Sequence, residues 1–184
     1  FNLILGTQTG SHIDAPYHFD NKGITVDKVD LKRCFGSGIV IDVSHKLANE
    51  TIETADIMTH VEAIACCDIV LLKTGWDVNR GSELFFNHPY LSLEAADYLL
   101  SLGIKTVAID TINLDQTGGS SYPVHERFAE VGGIIAENLA NFAAIDFAQP
   151  IISLLPLNLT DCDGSPVRAV AIEAEWVRET TYSS

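Results

Sequence analysis

Apolar positions along the chain fall into short alternating or continuous runs, broken by glycine, proline and polar turns. That rhythm predicts alternating strands and helices. The first run, from Phe1 to Gly6, reads as a strand that feeds the segment QTGSHIDAPYHF, Gln8 to Phe19. If QTGSHID is extended, side chains alternate with period two, which puts Gln8, His12 and Asp14 on one face with Gly10 between them. Pro16 has no N–H to offer a neighbouring strand and restricts Ala15, so pairing should stop there and the chain should turn. His18 would then be carried back toward the same space.

Further on, DNKG is turn-like and VDKVDLKRC predicts a helical turn or irregular crossing. SGIVIDVSH, rich in β-branched residues, predicts a strand ending at His45, which reads as a surface or capping residue. Thr54 should open a helix with Asp56 in its first turn and Ile57, Val61, Ile64 and Ala65 at helical spacing. DIVLLKTGW is almost continuously apolar, as in a strand buried on both faces, with Gly75 and Trp76 where it emerges. An aromatic loop holding Phe85, Phe86 and His88 follows, and His88 reads as a lid or surface residue. A helix capped by Ser92 and closed by Gly103 leads to a strand ending at Asp110, a position from which a carboxylate could orient a ligand.

Thr111 to Tyr122 is polar and glycine-rich, the composition of a functional loop. A short helix is expected from Pro123, halted by Gly132 and Gly133, and then an extended piece. PIISLLPLNLTDCDGSPVRAVAIEA reads as two strands joined by a hairpin turn at Asp163 and Gly164. With no linker, repeat or low-complexity tract, the expectation is one α/β domain over residues 1–184 with a mixed sheet.

Charge narrows the partners. The net charge is −14, and the 11 lysines and arginines are scattered along the chain, with Lys32 and Arg33 the one adjacent pair, rather than gathered on a stripe, which argues against nucleic acid. No apolar run reaches the length a bilayer needs, so a membrane-spanning chain is not expected. Cys34, Cys66, Cys67 and Cys162 lack zinc-knuckle spacing; Cys66 and Cys67 read as small core residues ending an alanine-rich helix, which suits a reducing cytoplasm. The chain begins at Phe1 without Met, which leaves open a cleaved targeting segment.

An imidazole and a carboxylate two residues apart, with a second imidazole four residues on, suit a divalent cation with a proton-transfer group beside it. His125 near a helix start and Glu137 after the double glycine are candidates to face that site, with Glu126 and Glu130 as competing acids. A two-histidine, one-carboxylate iron oxygenase would fit the same residues, but the predicted helices argue against its usual all-β scaffold. No Gly-x-Ser-x-Gly elbow is present, and no cysteine shares a motif with histidine.

The opening motif resembles the His-x-Gly-Thr-His-x-Asp-x-Pro-x-His signature of the cyclase family of metal-dependent hydrolases, which includes bacterial kynurenine formamidase and isatin hydrolase. The match runs through Gly10, Ser11, His12, Asp14, Pro16 and His18. LLKTGW, GIKTVAIDT, HERFAEVGGIIAENL and PLNLTDCDGSPVRAVAI are similar to family blocks in the same order, so the resemblance covers nearly the whole chain, lacking only the family's first strand.

The resemblance implies a swivelling β/β/α fold with a mixed, barrel-like sheet flanked by helices, a homo-oligomer (a dimer or higher), and hydrolysis of a small-molecule amide or cyclic amide. It implies one or two divalent ions, Zn²⁺ or Mn²⁺. His12 and Asp14 match ligands of the first metal, Asp14 bridges to a second held by His125 and Glu137, and His18 matches a catalytic histidine that does not bind metal. Gln8 stands where the family has its first histidine. Its neutral amide oxygen is a poorer ligand for zinc and more acceptable to manganese or magnesium, so the first site is expected to be weaker, completed by water, or empty. The last case corresponds to a non-catalytic binding protein of the same fold. Ser11 in place of threonine is a mild change. In the implied mechanism the ion lowers the pKa of water from about 15.7 to roughly 7, and His18 passes its proton to the leaving nitrogen. Trp76, Phe85, Phe86 and Tyr122 could line a pocket for an aromatic ring, which puts an aryl formamide such as N-formylkynurenine first, ahead of cyclic amides and lactones.

Overall fold

A computed structural model describes residues 1–174 of the 184-residue chain. Its strands are β1 (His12–Asp14), β2 (Phe35–Asp42), β3 (Thr51–Ile52), β4 (Ile69–Lys73), β5 (Tyr90–Leu91), β6 (Thr106–Ile109), β7 (Ile134–Glu137), β8 (Ile151–Ser153), β9 (Gly164–Pro166) and β10 (Val170–Ile172). The helices are α1 (Thr54–Met58), α2 (Val61–Ile64), α3 (Leu93–Ser101) and α4 (Pro123–Glu130), with six 3₁₀ turns in the connections. Eight strands form one mixed sheet in the order β10-β8-β2-β4-β6-β7-β1-β9, while β3 and β5 pair separately.

At the centre, β2, β4, β6 and β7 run parallel. Their near-continuous apolar sequence follows from burial on both faces. Val70, Leu72, Val107, Ile109 and Ile135 enter one apolar cluster, with Ile57, Leu99, Val124 and Phe128 from the helices. The alternating residues Ile69, Leu71, Ala108, Ile134 and Ala136 enter a second cluster, closed by Ile13, Val26, Val29, Phe142 and Leu154. Antiparallel strands finish both ends of the sheet, β8 and β10 beside β2, and β1 and β9 beside β7.

Several local expectations are corrected. The Phe1 to Gly6 run is not a strand; it is irregular, and its apolar side chains are exposed. The helix opened by Thr54 breaks into α1 and α2 around Thr59 and His60. The hairpin at Asp163 and Gly164 does not form: β9, which starts at Gly164, pairs with β1, and β8 pairs with β10. A local turn signal loses here to a long-range pairing. Cys66 is exposed and Cys67 half-buried, so neither is a full core residue. His88 is buried, its Nδ1 within 2.8 Å of the Pro89 carbonyl and its Nε2 within 2.8 Å of the Thr117 hydroxyl. Asp110 is buried too and accepts hydrogen bonds from Thr74 and Gly75, which fixes the turn leaving β4. The expected α3 forms as read: the Ser92 hydroxyl accepts the Ala95 N–H, and Gly103 takes the left-handed conformation after the helix. Among the described residues no helix is long and apolar enough to cross a membrane.

Candidate metal centre

Strand β1 has only three residues, yet it is hydrogen-bonded on both sides, by β7 and by β9. His12 lies opposite Glu137, and directly opposed side chains leave a sheet on the same side. Asp14, two residues on, shares that side, while Ile13 turns into the apolar core behind. The ligand atoms of His12, Asp14 and Glu137 therefore lie within 4.8 Å of one another. From α4, His125 Nε2 approaches Glu137 Oε1 at 2.9 Å and Asp14 Oδ2 at 3.5 Å. His12 Nε2 lies 3.5 Å from Asp14 Oδ1 and 3.8 Å from Glu137 Oε2. Each carboxylate thus turns one oxygen to each imidazole.

The far side of each ring is braced. His12 Nδ1 is 2.8 Å from the Gly10 carbonyl, and His125 Nδ1 is 2.7 Å from Asp115 Oδ2. Both partners only accept, so each Nδ1 carries a hydrogen and Nε2 is the nitrogen each ring turns to the cluster. Asp115 also accepts the backbone N–H groups of Val124 (3.1 Å) and His125 (3.0 Å). One buried carboxylate therefore both satisfies the first turn of α4 and orients the ring. The Leu114 N–H donates to Glu137 Oε1.

Burial works against a charge on His125, but the carboxylates of Glu137, Asp115 and Asp14 outweigh it and hold the pKa well above the ordinary imidazole range. Among the described residues no lysine or arginine pairs with Asp14, Asp115 or Glu137, and the buried Asp14 Oδ1 has no hydrogen-bond partner. Buried carboxylates in this state need a cation. Two imidazole Nε2 atoms facing two carboxylates fit a divalent metal ion, which would replace the proton those carboxylates favour on His125, and suit zinc and manganese alike.

His18 stands apart from this cluster. Its Nδ1 is 2.8 Å from Asp163 Oδ2, and its side chain is 29% exposed. Gln8 is not in strand register with His12, because Gly10, at φ +67°, breaks the extended path between them. Its amide lies against Gly164, where an added Cβ would meet Gln8 Nε2 at 2.5 Å, and stands 3.4 Å from His18 Nδ1. Gln8 Oε1 is buried without a partner. Glu126 and Glu130 are exposed on the outer side of α4, which leaves Glu137 as the acid beside His125.

A cavity of about 460 Å³ opens over the cluster, bordered by Gln8, His12, His18, His125 and Glu137. Phe19 and Tyr122 form its aromatic wall, the Phe19 ring 4.5 Å from that of His125 and 5.6 Å from that of Tyr122. Of the four aromatics expected there only Tyr122 borders it; Trp76 donates to the Leu84 carbonyl, and Phe85 is buried elsewhere. Asn138, also on the rim, is left-handed at φ +56°. The Arg80 guanidinium bonds its carbonyl (3.0 Å) and side-chain oxygen (2.9 Å), and so holds the chain as it leaves Glu137.

Sequence reading missed Phe19, Asp115, Asn138 and Asp163. A signal existed for Asp115, since a ligating histidine usually gives its second ring N–H to an acid, and the loop before α4 contains one. Asp163 was hidden inside the apparent hairpin turn.

Fold and donor set together describe an α/β protein with a buried cluster that could hold a metal ion, and comparison with known proteins shows its family. The family described as Putative cyclase matches residues 1–116, and the chain belongs to this cyclase family. A kynurenine formamidase from Bacillus mycoides (strain KBAB4) is 34% identical over 169 residues, covering 91% of this chain and 77% of the relative. The crystal structure of an isatin hydrolase bound to the product analogue thioisatinate superposes with a TM-score of 0.81 at 26% identity, over 91% of this chain and 72% of that one. A structure described as a potential metal-dependent hydrolase with cyclase activity gives 0.78 at 26% identity, over 92% and 81%. The swivelling β/β/α fold implied by the opening motif is the fold observed.

Proposed function

We propose that this chain hydrolyses the carbon–nitrogen bond of a small aryl amide, with an aryl formamide such as N-formylkynurenine ranked ahead of a cyclic amide. The observation that carries the reading is the buried meeting of two imidazole Nε2 atoms with two carboxylates, one oxygen of which lacks any partner. The names of the relatives, kynurenine formamidase at 34% identity and isatin hydrolase at 26%, support the amide class and rank its members.

His12, Asp14, His125 and Glu137 would hold one or two divalent ions, with Asp14 and Glu137 able to serve both histidines. Gln8 borders the same cavity, its buried Oε1 has no partner, and it is the remaining donor on that side. When bound, such an ion polarises a carbonyl and lowers the pKa of water from about 15.7 toward roughly 7. His18 has Nδ1 engaged by Asp163, which leaves Nε2 to take a proton from the attacking water and return it to the leaving nitrogen. Phe19 and Tyr122 offer ring faces to the aryl group, and the walls of the cavity restrict how it can tilt.

The test is elemental analysis of protein purified without chelators, followed by turnover of formyl-anilides, cyclic amides and lactones after reconstitution with Zn²⁺ or Mn²⁺. Bound divalent metal and fastest turnover of the formyl-anilide are expected. Silence on all three classes with both metals would overturn the reading, and absence of metal at any stoichiometry would favour a non-catalytic binding protein.

A further inference from the structure

The carboxylate of Asp163 is the least expected neighbour of the cavity. Its backbone carbonyl accepts the Ala15 N–H at 2.9 Å, which continues the β1–β9 ladder one residue past Asp14 opposite Gly164. That register places its side chain beside the 3₁₀ turn Pro16–His18. There Oδ2 meets His18 Nδ1 at 2.8 Å, while Oδ1 accepts the Thr7 hydroxyl at 2.7 Å. Both carboxylate oxygens are thus committed, one on each side, and the carboxylate cannot rotate without losing a hydrogen bond. His18 Nε2 has no protein partner among the described residues, and the ring packs edge-on against Phe19 at 4.7 Å.

We propose that Asp163, held by Thr7, is a positioning residue that fixes His18 in the tautomer with hydrogen on Nδ1, so that the lone pair of Nε2 faces the cavity. An imidazole free to turn about its χ angles would present either nitrogen in either tautomer, and only one of these arrangements leaves a base where water and a leaving nitrogen can reach it. The bond to Asp163 selects that arrangement before substrate arrives and stabilises the imidazolium formed while the proton is in transit. The proton that Nε2 takes from water is the one it gives to the leaving nitrogen, so His18 ends neutral and Asp163 stays ionised throughout. This rests on the reading of His18 as the proton-transfer group.

Two measurements separate the claims. In Asp163→Asn the amide can direct its NH₂ at Nδ1 and stabilise the opposite tautomer. Nitrogen-15 NMR of the histidine rings in metal-free protein should then show His18 leaving the Nδ1–H form, a change that no general loss of stability produces. With a formyl-anilide and reconstituted enzyme, kcat should fall about 100-fold with KM within about threefold and metal content unchanged. Asp163→Glu should recover part of the loss. Thr7→Val, which leaves the carboxylate in place but removes its anchor, should lower kcat by a few-fold and broaden the same NMR signals. A wild-type tautomer in Asp163→Asn, or kcat within twofold of wild type, overturns the proposal. Full activity in His18→Ala overturns the catalytic reading instead, whatever the tautomer does.

Discussion

His125 in the metal centre and His88 in the loop before β5 are almost equally buried, at 3% and 1% exposure, yet their pKa values move in opposite directions. Burial disfavours the charged ring in both. Around His88 the neighbours are a carbonyl and a hydroxyl, so burial wins and the pKa falls. Around His125 stand three carboxylates, and their attraction wins. The surrounding acids, rather than depth alone, separate a histidine set among negative charges from one that closes a loop. His18 is a third case, braced by a carboxylate at the same range as His125 but only partly buried.

The largest test of this contrast is His125→Ala. It should remove bound metal and reduce turnover to background, with both read on the same preparation by elemental analysis and a formyl-anilide assay. His18→Ala should separate these quantities, keeping metal while activity drops about 10²- to 10⁴-fold; equal loss of metal would erase the distinction between the two histidines.

Asp115→Asn probes the brace of His125. The amide can face Nδ1 with its NH₂, which forces the hydrogen to Nε2 and blocks the lone pair aimed at the cluster. Metal affinity, measured by competition with a chelator, should weaken about 10- to 100-fold. Loss of a charged acceptor for two helix N–H groups should also cost about 1–2 kcal/mol in denaturant unfolding.

His88 gives the smallest effect. Its folded pKa is depressed, so below the unfolded value near 6.5 the unfolded chain binds a proton that the fold refuses. Stability should therefore fall as pH drops below about 6.5, by at most about 1.4 kcal/mol per unit from this residue. Urea unfolding between pH 7 and 5.5 should show a shallower slope for His88→Asn than for wild type, even though the variant is less stable at pH 7. Equal slopes would mean that His88 already titrates normally in the folded protein.

Much of this architecture was legible wherever the deciding forces are local. The Ser92 cap, the Gly103 stop, Pro123 at the first turn of α4 and the apolar run of β4 each carry their instruction within a few residues. His12 and Asp14 could be picked out from the opening segment and His125 and Glu137 from the family resemblance, the residues alone leaving Glu126 and Glu130 open, and the four do lie together. What failed was everything set by a distant partner. Asp163 and Gly164 look like a turn until β1 claims Gly164 as a strand neighbour. Gln8 looks like a member of the His12 face until the left-handed Gly10 swings it toward Gly164. His88 looks exposed beside a proline, and is buried because Thr117, from the glycine-rich loop, closes over it.

The brevity of β1 bears on how the molecule comes into being. Its neighbours on either flank, β7 and β9, both lie far downstream in sequence, so the donors of β1 are made long before the strands that pair with them. A polypeptide stopped before Gly164 would already hold every proposed ligand and still leave one edge of that strand bare, so closure of the reactive centre waits on a segment that contributes none of them.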